Sequence, residues 1–288
     1  MLRFNYRTSL IFIGILLLLN VFAWKIVFDI SSQKYLEVDF FDVGQGDAAF
    51  IETPQNHQIL IDGGPNSEIL KKLGKEMPFY DRTLDMIILS HPEKDHLFGL
   101  LEVLERYKVD YIVWTGIVRQ TPEYQEWQEL LKIEGAKIII AKAGEIMKAG
   151  NVLLSILYPA ENLEGKEVED SNDTSIVLRL SFGKNSFLFT GDATNKTEQE
   201  LVSEKSNLES DILKVSHHGS KYSTSDIFLE NVKPKIAVVS VGKNNSYGHP
   251  TSEVLQRLQK FGIDILRTDI NGDIKFYSNG ENLLYGRN

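Results

Sequence analysis

Five of the six histidines in this 288-residue sequence fall in three short segments. These segments contain His91 and His96, His217 and His218, and His249. Clustered imidazoles can bind a metal ion or move protons near neutral pH. Because the chain has no cysteine, disulfides and thiol nucleophiles are excluded, and any metal ion would be held by His, Asp or Glu. The sequence therefore points first to a metal centre with nitrogen and oxygen ligands.

The first histidine segment, HPEKDH, lies between an apolar stretch and an amphipathic helical pattern. His91 and Glu93 occupy alternate positions of an extended stretch, so their side chains point the same way. Asp95 and His96 then turn into the predicted helix and can face a second point nearby. Strand ends of this kind commonly carry reactive groups. The competing interpretation is a polar loop that is rich in titratable groups by chance.

Two further apolar stretches end in potential metal ligands. FLFT runs into Gly191 and Asp192, and LKVS runs into His217 and His218. Taken singly, Asp192 is more typical of a helix N-cap, a role worth ~1 kcal/mol. Adjacent histidines at a strand end are harder to explain structurally. Three strand ends that supply carboxylates and imidazoles together predict a metal site.

The elements that would position these groups alternate between strands and helices. Periodicity predicts helices that begin near residues 97, 123, 194, 224 and 251. Strands are predicted at residues 58–61, 84–90, 111–114, 137–141, 151–157, 175–180, 186–190, 212–215, 236–241, 264–267 and 274–277, after two strands within 35–53. Two β-rich halves with outer helices indicate an α+β fold. We expect two sheets packed face to face, each covered by helices, in a four-layer αββα sandwich.

Composition and charge narrow the class of protein. With 42% hydrophobic and 25% charged residues, the chain is expected to form a globular protein with a packed core. The formal net charge is −9, and residues 1–34 carry four basic residues and one acidic residue, so the remainder stands at −12. This balance argues against a broad nucleic-acid-binding surface and leaves only scattered basic candidates such as Lys214 and Lys221.

The N-terminal segment is predicted to be a transmembrane helix. Residues 8–24 are uncharged and apolar except for one asparagine, and the apolar stretch approaches the ~20 residues that span a bilayer. Arg3 and Arg7 precede it, which predicts a single-pass anchor with the rest of the chain outside the cytoplasm. A cleaved signal peptide and a buried core helix are the alternatives. We therefore expect a membrane anchor with a short linker at 1–34 and one catalytic domain at 35–288.

The chemistry-bearing segments resemble the signature motifs of the metallo-β-lactamase superfamily. His91, Asp95 and His96 match its His-x-His-x-Asp-His motif, and DGG and TGD resemble two further motifs. More closely, the ordered segments DVGQGDA, DGG, SHPEKDH, NDTSIVL, FTGD, LKVSHHGSKYSTS and SVGKNNSYGHP resemble the C-terminal domain of the ComEC/Rec2 family of bacterial DNA-uptake proteins. The resemblance covers almost all of residues 36–280. It implies the metallo-β-lactamase fold and a hydrolase domain.

The resemblance implies a centre of one or two divalent metal ions, Zn²⁺ or Mn²⁺. The first ion would be held by His91, Glu93 and Asp192, and the second by Asp95, His96, Asp192 and either His217 or His218, with Asp192 as the bridge. Such a centre lowers the pKa of water, so the chemistry expected is hydrolysis at phosphorus or at a carbonyl carbon.

The expected catalytic residues are Asp95, His217 and His249. Asp95 would orient the attacking water, and His249 would steady the developing oxyanion or protonate the leaving group. Asp62 would accept a hydrogen bond from a ligand imidazole, although a turn-forming Asp before two glycines is an equally good explanation for it.

Two departures from the superfamily motifs affect the first metal position. Glu93 replaces the second histidine of the signature, and no histidine occurs between residues 151 and 192, where a third ligand is often supplied. Asn172, Asp173 or a water would have to fill that place. An oxygen-richer site leans toward Mn²⁺ or Fe²⁺ over Zn²⁺, or toward a single metal at the second position.

Four other residues are weaker candidates. Gln45 and Asp47 lie in a loop that the resemblance places near the site, although GQGD is also typical of a hairpin turn. Ser220 and Lys221 follow the histidine pair near a predicted helix start and could hold a phosphate, and a surface loop explains them as well.

The expected function is that of a membrane-anchored, metal-dependent hydrolase, a phosphodiesterase or nuclease related to DNA uptake. The expected partners are the membrane, DNA or another phosphodiester, and a separate membrane channel protein, because one helix cannot conduct DNA. One alternative is a metallo-hydrolase of a small carbonyl or phosphocholine ester substrate, since a fold does not fix a substrate. The second alternative is a non-catalytic binding module.

Overall fold

The chain divides into two compact units, Met1–Lys34 and Tyr35–Asn288. The computed structural model describes residues 6–31 and 35–287, and within them lie fifteen strands and eight α-helices. The strands are β1 (Leu36–Phe40), β2 (Ala49–Glu52), β3 (Gln58–Ile61), β4 (Thr83–Ile88), β5 (Lys108–Trp114), β6 (Lys137–Ile140), β7 (Ile146–Ala149), β8 (Val152–Tyr158), β9 (Val177–Phe182), β10 (Asn185–Phe189), β11 (Ile212–Lys214), β12 (Ile236–Val239), β13 (Asp264–Arg267), β14 (Ile274–Ser278) and β15 (Leu283–Arg287). The helices are α1 (Tyr6–Ser31), α2 (Glu68–Glu76), α3 (Lys94–Leu104), α4 (Pro122–Glu134), α5 (Asn195–Ser203), α6 (Asp226–Val232), α7 (Ser252–Lys260) and α8 (Thr268–Asn271).

Two sheets are built from these strands. The described part of the first sheet has eight strands in the order β15-β14-β1-β2-β3-β4-β5-β6, and that of the second has seven in the order β13-β12-β11-β10-β9-β8-β7. Strands β3 to β6 run parallel to one another, as do β10 to β13. Because parallel strands bring their carboxyl ends to one edge of a sheet, the loops that follow them are brought together.

Apolar side chains of the two sheets meet in a shared core. Along β1, Leu36, Val38 and Phe40 are buried in this core, in the alternation expected of a strand with one face turned inward. The Phe40 ring stacks on Phe189 of β10 with ring centroids 5.5 Å apart. Burial of each side chain of this size stabilises the fold by about 1.5–3 kcal/mol, so the interface between the sheets is a main source of stability.

Helices cover the outer face of each sheet. Ile69 of α2 and Trp127 of α4 are buried with α3 against the first sheet. Phe228 of α6 and Leu258 of α7 are buried with α5 against the second. The resulting order of helix, sheet, sheet and helix confirms the predicted α+β class and the four-layer αββα sandwich.

Most predicted elements of the second unit are present with boundaries displaced by a few residues. Helix α3 begins at Lys94 rather than near residue 97, so Asp95 and His96 lie in its first turn. The sequence interpretation missed α2, β7, β15 and α8, the last of which has only four residues. Helix α2 buries only two side chains, and the side chains of β7 and β15 are exposed or half-buried, so neither strand shows a clear apolar pattern.

A cluster of charged side chains surrounds Lys275 on the outer face of β1 and β14. The cluster consists of Lys275, Glu76 at 2.5 Å from its Nζ, Asp39 at 3.1 Å and Glu37 at 3.5 Å, and we call it the Lys275 cluster. Because Glu76 belongs to α2, the cluster ties this helix to the sheet. Burial, which Lys275 offsets only in part, raises the pKa of Asp39 to about 7.

The described part of the first unit is α1, whose centre reads LIFIGILLLLNVFAW. Its described apolar side chains are exposed, Leu18 to 72% and Trp24 to 68%. Among the residues that the structure describes, none of the helices combines the length and the apolarity required to cross a membrane. The predicted transmembrane helix is therefore not supported by the structure.

Candidate metal centre

The potential ligands meet at one edge of the sandwich because each follows a strand whose carboxyl end lies there. His91 comes after β4, Asp192 after β10 and His218 after β11. Asp95 and His96 occupy the first turn of α3, which continues from the loop after β4. Residues that are far apart in the sequence thus converge on one point between the two sheets.

Four side chains form a compact set of possible ligands. One ligand atom each of Asp95, His96, Asp192 and His218 lies within 4.8 Å of the others, and we call these residues the metal-ligand group. His96 Nε2 lies 3.3 Å from Asp192 Oδ1. His218 Nε2 lies 3.3 Å from Asp95 Oδ2 and 3.6 Å from Asp192 Oδ2. Of the two neighbouring histidines that the sequence left open, the structure places His218 in the group.

The bonding of these atoms tests whether the group fits a cation. His96 Nε2 and Asp192 Oδ1 are buried and, within the described part of the chain, neither has a hydrogen-bond partner. A buried polar atom without a partner is unfavourable by about 1–3 kcal/mol, so such atoms rarely persist without a ligand. The two imidazoles and two carboxylates also match the ligand types of Zn²⁺ and Mn²⁺. The residues therefore fit a divalent cation.

Asp62, in the turn after β3, fixes the proton on His96. His96 Nδ1 donates to Asp62 Oδ2 at 2.8 Å, and the Ser90 hydroxyl donates to the same oxygen at 2.7 Å. Because the Ser90 proton is committed to Asp62, His91 Nδ1 donates to Ser90 Oγ at 3.0 Å. Both rings thus direct Nε2 away from Asp62 with a lone pair available once a cation displaces any proton there. The role expected for Asp62 agrees with this geometry.

A second chain of buried contacts orients His218. Its Nδ1 donates to the backbone carbonyl of Ser240 at 2.9 Å and lies 3.2 Å from Asp47 Oδ1. Asp47 is in turn paired with Lys214, whose ammonium is buried. Lys214 is therefore not available to a nucleic-acid surface, and the sequence interpretation of it as a basic surface residue is wrong. Its charge instead balances Asp47 beneath the metal-ligand group.

Three residues beside the centre hold a left-handed backbone that side chains other than glycine rarely adopt. The φ angles are 57° at Asp62, 49° at His217 and 52° at His218. Conformations of this kind cost of order 1–3 kcal/mol each and cluster at functional sites. At the histidine pair, the turn directs two successive imidazoles toward the same cavity.

Close backbone contact explains two glycines near the centre. A Cβ added to Gly99 of α3 would lie 1.9 Å from the Gly63 carbonyl oxygen, and one added to Gly63 would lie 2.4 Å from the Leu100 nitrogen. The turn that carries Asp62 can therefore rest directly on the first turns of α3. This contact sets the distance between Asp62 and His96.

Residues 41–243 match the metallo-β-lactamase superfamily, which is more than half of the chain. The chain belongs to the metallo-β-lactamase superfamily. Its two sheets, outer helices and strand-end ligands are those expected from the resemblance of the sequence motifs. As a superfamily member it falls in a class of metal-dependent hydrolases that bind one or two divalent ions.

Curated relatives connect this superfamily member with competence. The chain is 35% identical over 257 residues to ComE operon protein 3 of Bacillus subtilis, which covers 83% of this chain and 33% of that protein. It is 34% identical over 241 residues to competence protein ComA of Neisseria gonorrhoeae, covering 83% and 32%. The chain thus spans about a third of the length of the curated relatives that it matches. The resemblance to the ComEC/Rec2 family is confirmed.

A solved structure shares the fold. The metallo-β-lactamase fold protein YhfI of Bacillus subtilis superposes with a TM-score of 0.56 at 14% sequence identity, covering 84% of this chain and all of that one. At this identity the likeness shows the fold alone.

The position where the superfamily signature has its second histidine is occupied differently here. Glu93 Oε1 accepts hydrogen bonds from Arg119 Nη2 at 2.7 Å and from the Ser171 hydroxyl. The structure therefore places Glu93 outside the metal-ligand group. His91 is also outside it, although its ring lies 4.2 Å from that of His96 and its Nε2 has no partner among the described residues. His91 keeps a lone pair that a first metal could use.

The two residues considered for the missing third ligand differ in position. Asn172 lines the cavity at the centre. Asp173 is engaged elsewhere, because its carboxylate accepts from Thr194 and from Lys196 Nζ at 3.0 Å, at the start of α5. Of the two, only Asn172 belongs to the described lining of this cavity.

An open cavity of about 310 Å³ lies over the metal-ligand group. Its lining comprises Gln45, Glu93, Asp95, Arg119, Glu169, Asp170, Ser171, Asn172, Asp192, His217, His218, Tyr247 and His249. His217 and His249 lie side by side in it, with ring centroids 5.8 Å apart. The cavity therefore brings together all three expected catalytic residues, Asp95, His217 and His249. Ser220 and Lys221 are not part of its described lining, and Lys221 lies over the Tyr222 ring.

The charges of the centre shift the pKa values of its members strongly. Burial opposes protonation of His218, but Asp192 and Asp47 raise its pKa to about 10. Burial likewise opposes protonation of His96, but Asp192 and Asp62 raise its pKa well above the ordinary value. His218 and His96 hold the pKa of Asp192 well below its usual range despite its burial. The carboxylates thus hold positive charge at this point, as a cation site requires.

The pKa values of His91 and His249 are lowered. Burial, together with His96, lowers the pKa of His91 to about 3. Burial, together with His217 and His218, lowers the pKa of His249. Both rings are therefore neutral at physiological pH, which suits His91 as a metal ligand and His249 as a hydrogen-bond donor.

Four residues of the site carried little or no signal in the sequence. Arg119 belongs to none of the motif segments, Ser90 and Ser240 begin two of them without an assigned role, and Asp47 was only a weak candidate. Their roles depend on contacts with residues between 22 and 171 positions away, among them the pairs of Ser240 with His218 and of Asp47 with His218. The spacing of potential ligands could not have revealed them.

Proposed function

We propose that the chain is a metal-dependent phosphodiesterase or nuclease that acts on DNA or on another phosphodiester. The observation that carries the proposal is the convergence of two buried ligand atoms that make no hydrogen bond to any described residue, His96 Nε2 and Asp192 Oδ1, 3.3 Å apart. Asp192 also lines an open cavity. The 34% sequence identity with competence protein ComA supports a nucleic-acid substrate. The proposal is finer than the class of metal-dependent hydrolase to which the superfamily assigns the chain.

The metal-ligand group would hold the cation, with His91 available to a second ion. A bound divalent cation would supply Lewis acidity, which polarises a phosphoryl oxygen and lowers the pKa of water. Asp62 and the Ser240 carbonyl keep the Nδ1 protons of His96 and His218 in place, so that both Nε2 atoms face the group. The chain thus orients its ligands before substrate arrives.

His249 and His217 would act on the substrate from beside the metal-ligand group, since His217 Nε2 lies 3.7 Å from Asp192 Oδ2 and both rings line the cavity. Because His249 is neutral at physiological pH, it can donate an N–H hydrogen bond to a phosphoryl oxygen that gains charge. The Tyr247 ring stacks on His249 with centroids 6.0 Å apart and limits its movement. Asp95, at the edge of the group, would orient the attacking water.

The first test is hydrolysis of bis-p-nitrophenyl phosphate by the full chain with Mn²⁺ or Zn²⁺, compared with p-nitrophenyl acetate. We expect turnover of the diester that depends on added metal and stops with a chelator, followed by cleavage of single-stranded or double-stranded DNA. Turnover of the acetate alone would replace the phosphodiesterase proposal with a carbonyl substrate. Metal binding without turnover of either compound would instead favour a binding module.

We further propose that the catalytic domain lies at a membrane, outside the cytoplasm, beside a separate channel protein. The exposed apolar side chains of α1 support attachment to a membrane, and the orientation is proposed from the sequence alone, in which Arg3 and Arg7 precede the apolar stretch. The test is cell fractionation of the full chain and of a variant that lacks residues 1–34. We expect loss of the membrane-bound fraction in the variant and protease digestion of the intact chain from outside. A soluble full chain would contradict the proposal.

A further inference from the structure

One wall of the cavity is made by two loops that are joined along their backbones. The loop after β5 contains Val118, whose N–H donates to the Lys166 carbonyl at 2.9 Å. In the other direction, the Gly165 N–H donates to the Gly116 carbonyl at 2.9 Å. These bonds hold the residue that follows Val118, Arg119, in a defined place beside the metal-ligand group.

The Arg119 guanidinium is hydrogen-bonded through one nitrogen and lacks a partner at another. Its Nη2 donates to Glu93 Oε1 at 2.7 Å, and the Ser171 hydroxyl donates to the same oxygen. Its Nε is buried and, among the residues described, has no hydrogen-bond partner. The side chain remains 23% exposed and lines the cavity. A guanidinium held this way can present its other N–H groups to a ligand.

The charge around Arg119 indicates what this ligand would be. Arg119 is the one Lys or Arg among the described residues that line the cavity. The carboxylates in the same lining are Glu93, Asp95, Glu169, Asp170 and Asp192. An anionic substrate would be repelled from such a surface unless cations face it, so a bound metal and Arg119 would have to supply the attraction.

We propose that Arg119 forms an anion subsite beside the metal-ligand group and binds a phosphate oxygen of the substrate. The planar guanidinium carries five N–H donors and pairs with phosphate through two parallel hydrogen bonds. Glu93 and Ser171 are positioning residues that fix one edge of the guanidinium. This assignment gives Glu93 a purpose at the place where the superfamily signature has a metal-binding histidine.

The inference rests on the proposed function, because it names the chemical group by which that site recognises its substrate. Binding is therefore measured separately from turnover. The probe is inorganic phosphate, titrated calorimetrically into the full chain saturated with Mn²⁺, with Mn²⁺ affinity determined for every variant. The variants are Arg119→Gln, Arg119→Lys, Glu93→Gln and the double variant of Arg119→Gln with Glu93→Gln.

Arg106→Gln is the matched control. Arg106 is also paired with carboxylates, Glu102 at 2.9 Å and Glu105 at 3.1 Å, but it lies just after the end of α3 with its side chain 47% exposed. We expect Arg119→Gln to weaken phosphate binding roughly 10-fold to 100-fold, as for the loss of a charged hydrogen bond, with Mn²⁺ affinity unchanged. Arg119→Lys should recover only part of the loss, and Arg106→Gln should have no effect.

The double variant tests whether Glu93 acts through Arg119. If it does, Glu93→Gln weakens phosphate binding by itself but adds nothing once Arg119 is replaced. For diester hydrolysis, Arg119→Gln should raise KM more than it lowers kcat.

Phosphate affinity that is equal in the wild type and Arg119→Gln, or no phosphate binding by the wild type, would overturn the subsite. A different result would contradict the proposed phosphodiesterase function. The wild type would then bind phosphate through Arg119 and yet leave every diester intact.

Discussion

Two clusters of charged side chains, each with one buried carboxylate, can be compared in this molecule, the metal-ligand group with Asp192 and the Lys275 cluster with Asp39. In the Lys275 cluster the chain supplies the cation, and Lys275 Nζ lies within 3.5 Å of three carboxylates. In the metal-ligand group, Asp95 and Asp192 face imidazole nitrogens, and among the described residues no Lys or Arg pairs with either of them. The Lys275 cluster is thus completed by the fold, whereas the metal-ligand group has the composition of a site for a bound cation.

The comparison teaches that burial and charge alone do not identify a site. Both clusters contain buried carboxylates, and Asp39 Oδ1 of the Lys275 cluster also lacks a partner within the described chain. The metal-ligand group differs because two of its ligand atoms that make no hydrogen bond to any described residue, on His96 and Asp192, lie 3.3 Å apart, and Asp192 lines an open cavity. Convergence of unpartnered ligand atoms is therefore the feature that marks function.

The same isosteric substitution in each cluster should give the largest contrast. We expect Asp192→Asn to lower metal-dependent hydrolysis roughly 1000-fold, because a cation's stabilisation of the reaction is worth several kcal/mol. Asp39→Asn should leave the rate unchanged, since Asp39 lies outside the cavity. The measurement is initial rate per folded protein at saturating metal. Equal losses in the two variants would mean that the substitutions act through stability and not through the site.

Removal of the cation from the Lys275 cluster should instead lower stability. We expect Lys275→Met to reduce the free energy of unfolding by about 3–5 kcal/mol, because it leaves Asp39 buried without its cation. Urea denaturation measures the change. The double variant of Lys275→Met with Asp39→Asn should recover part of the loss, while Mn²⁺ affinity stays constant throughout. A loss below about 1 kcal/mol would be that of an exposed ion pair and would contradict the role given to the cluster.

The hydrogen bond from His96 to Asp62 can be tested with a matched pair elsewhere. We expect Asp62→Asn to lower affinity for Zn²⁺ or Mn²⁺ by about 10-fold to 100-fold, because loss of the carboxylate weakens the ligand imidazole. Asparagine tolerates the left-handed backbone at this position. Asp85→Asn is the control, since His57 Nδ1 lies 2.9 Å from Asp85 Oδ1 outside the centre. Calorimetric titration would contradict the expectation if both variants kept wild-type affinity.

The raised pKa values in the metal-ligand group predict how cation binding depends on pH. His218, with its pKa raised to about 10, and His96, with its pKa raised well above normal, carry protons near neutral pH and must release them to a cation. Affinity should therefore rise with pH from about pH 6 to pH 8, by roughly tenfold per unit for each proton displaced. Titrations in buffers of different ionisation enthalpy measure the protons released. Affinity that is independent of pH would contradict the charge state assigned to these rings.

Local patterns in the sequence were sufficient for the fold and for most of the ligands. Apolar stretches that end in His91, Asp192 and His217–His218 showed that the ligands follow strands, and such strand ends meet in a sandwich of parallel strands. Long-range pairing could not be predicted in the same way. Glu93 has the charge of a metal ligand, and only its contacts with Arg119 and Ser171 show that it has another role.

Lys214 is a second residue whose role depends on a long-range contact that could not be predicted from the sequence. Lysine is normally exposed, so the sequence suggested that Lys214 could contribute to a basic surface. Its position in the short buried strand β11 places the ammonium against Asp47 instead. Side-chain direction within a strand of three residues depends on register with its neighbours, which the sequence does not specify.

The pairing of β1 with β14 has a consequence for how the molecule is made. Residues 146–267, which form the second sheet, are inserted between the two parts of the first, and Leu36 pairs with Ser278. During synthesis on the ribosome, one edge of β1 must therefore stay open until nearly the whole domain has emerged, and open strand edges favour aggregation. Asp95 and His96 also precede the inserted sheet, while Asp192 and His218 belong to it. Cation capture thus reports that both halves of the domain have been assembled.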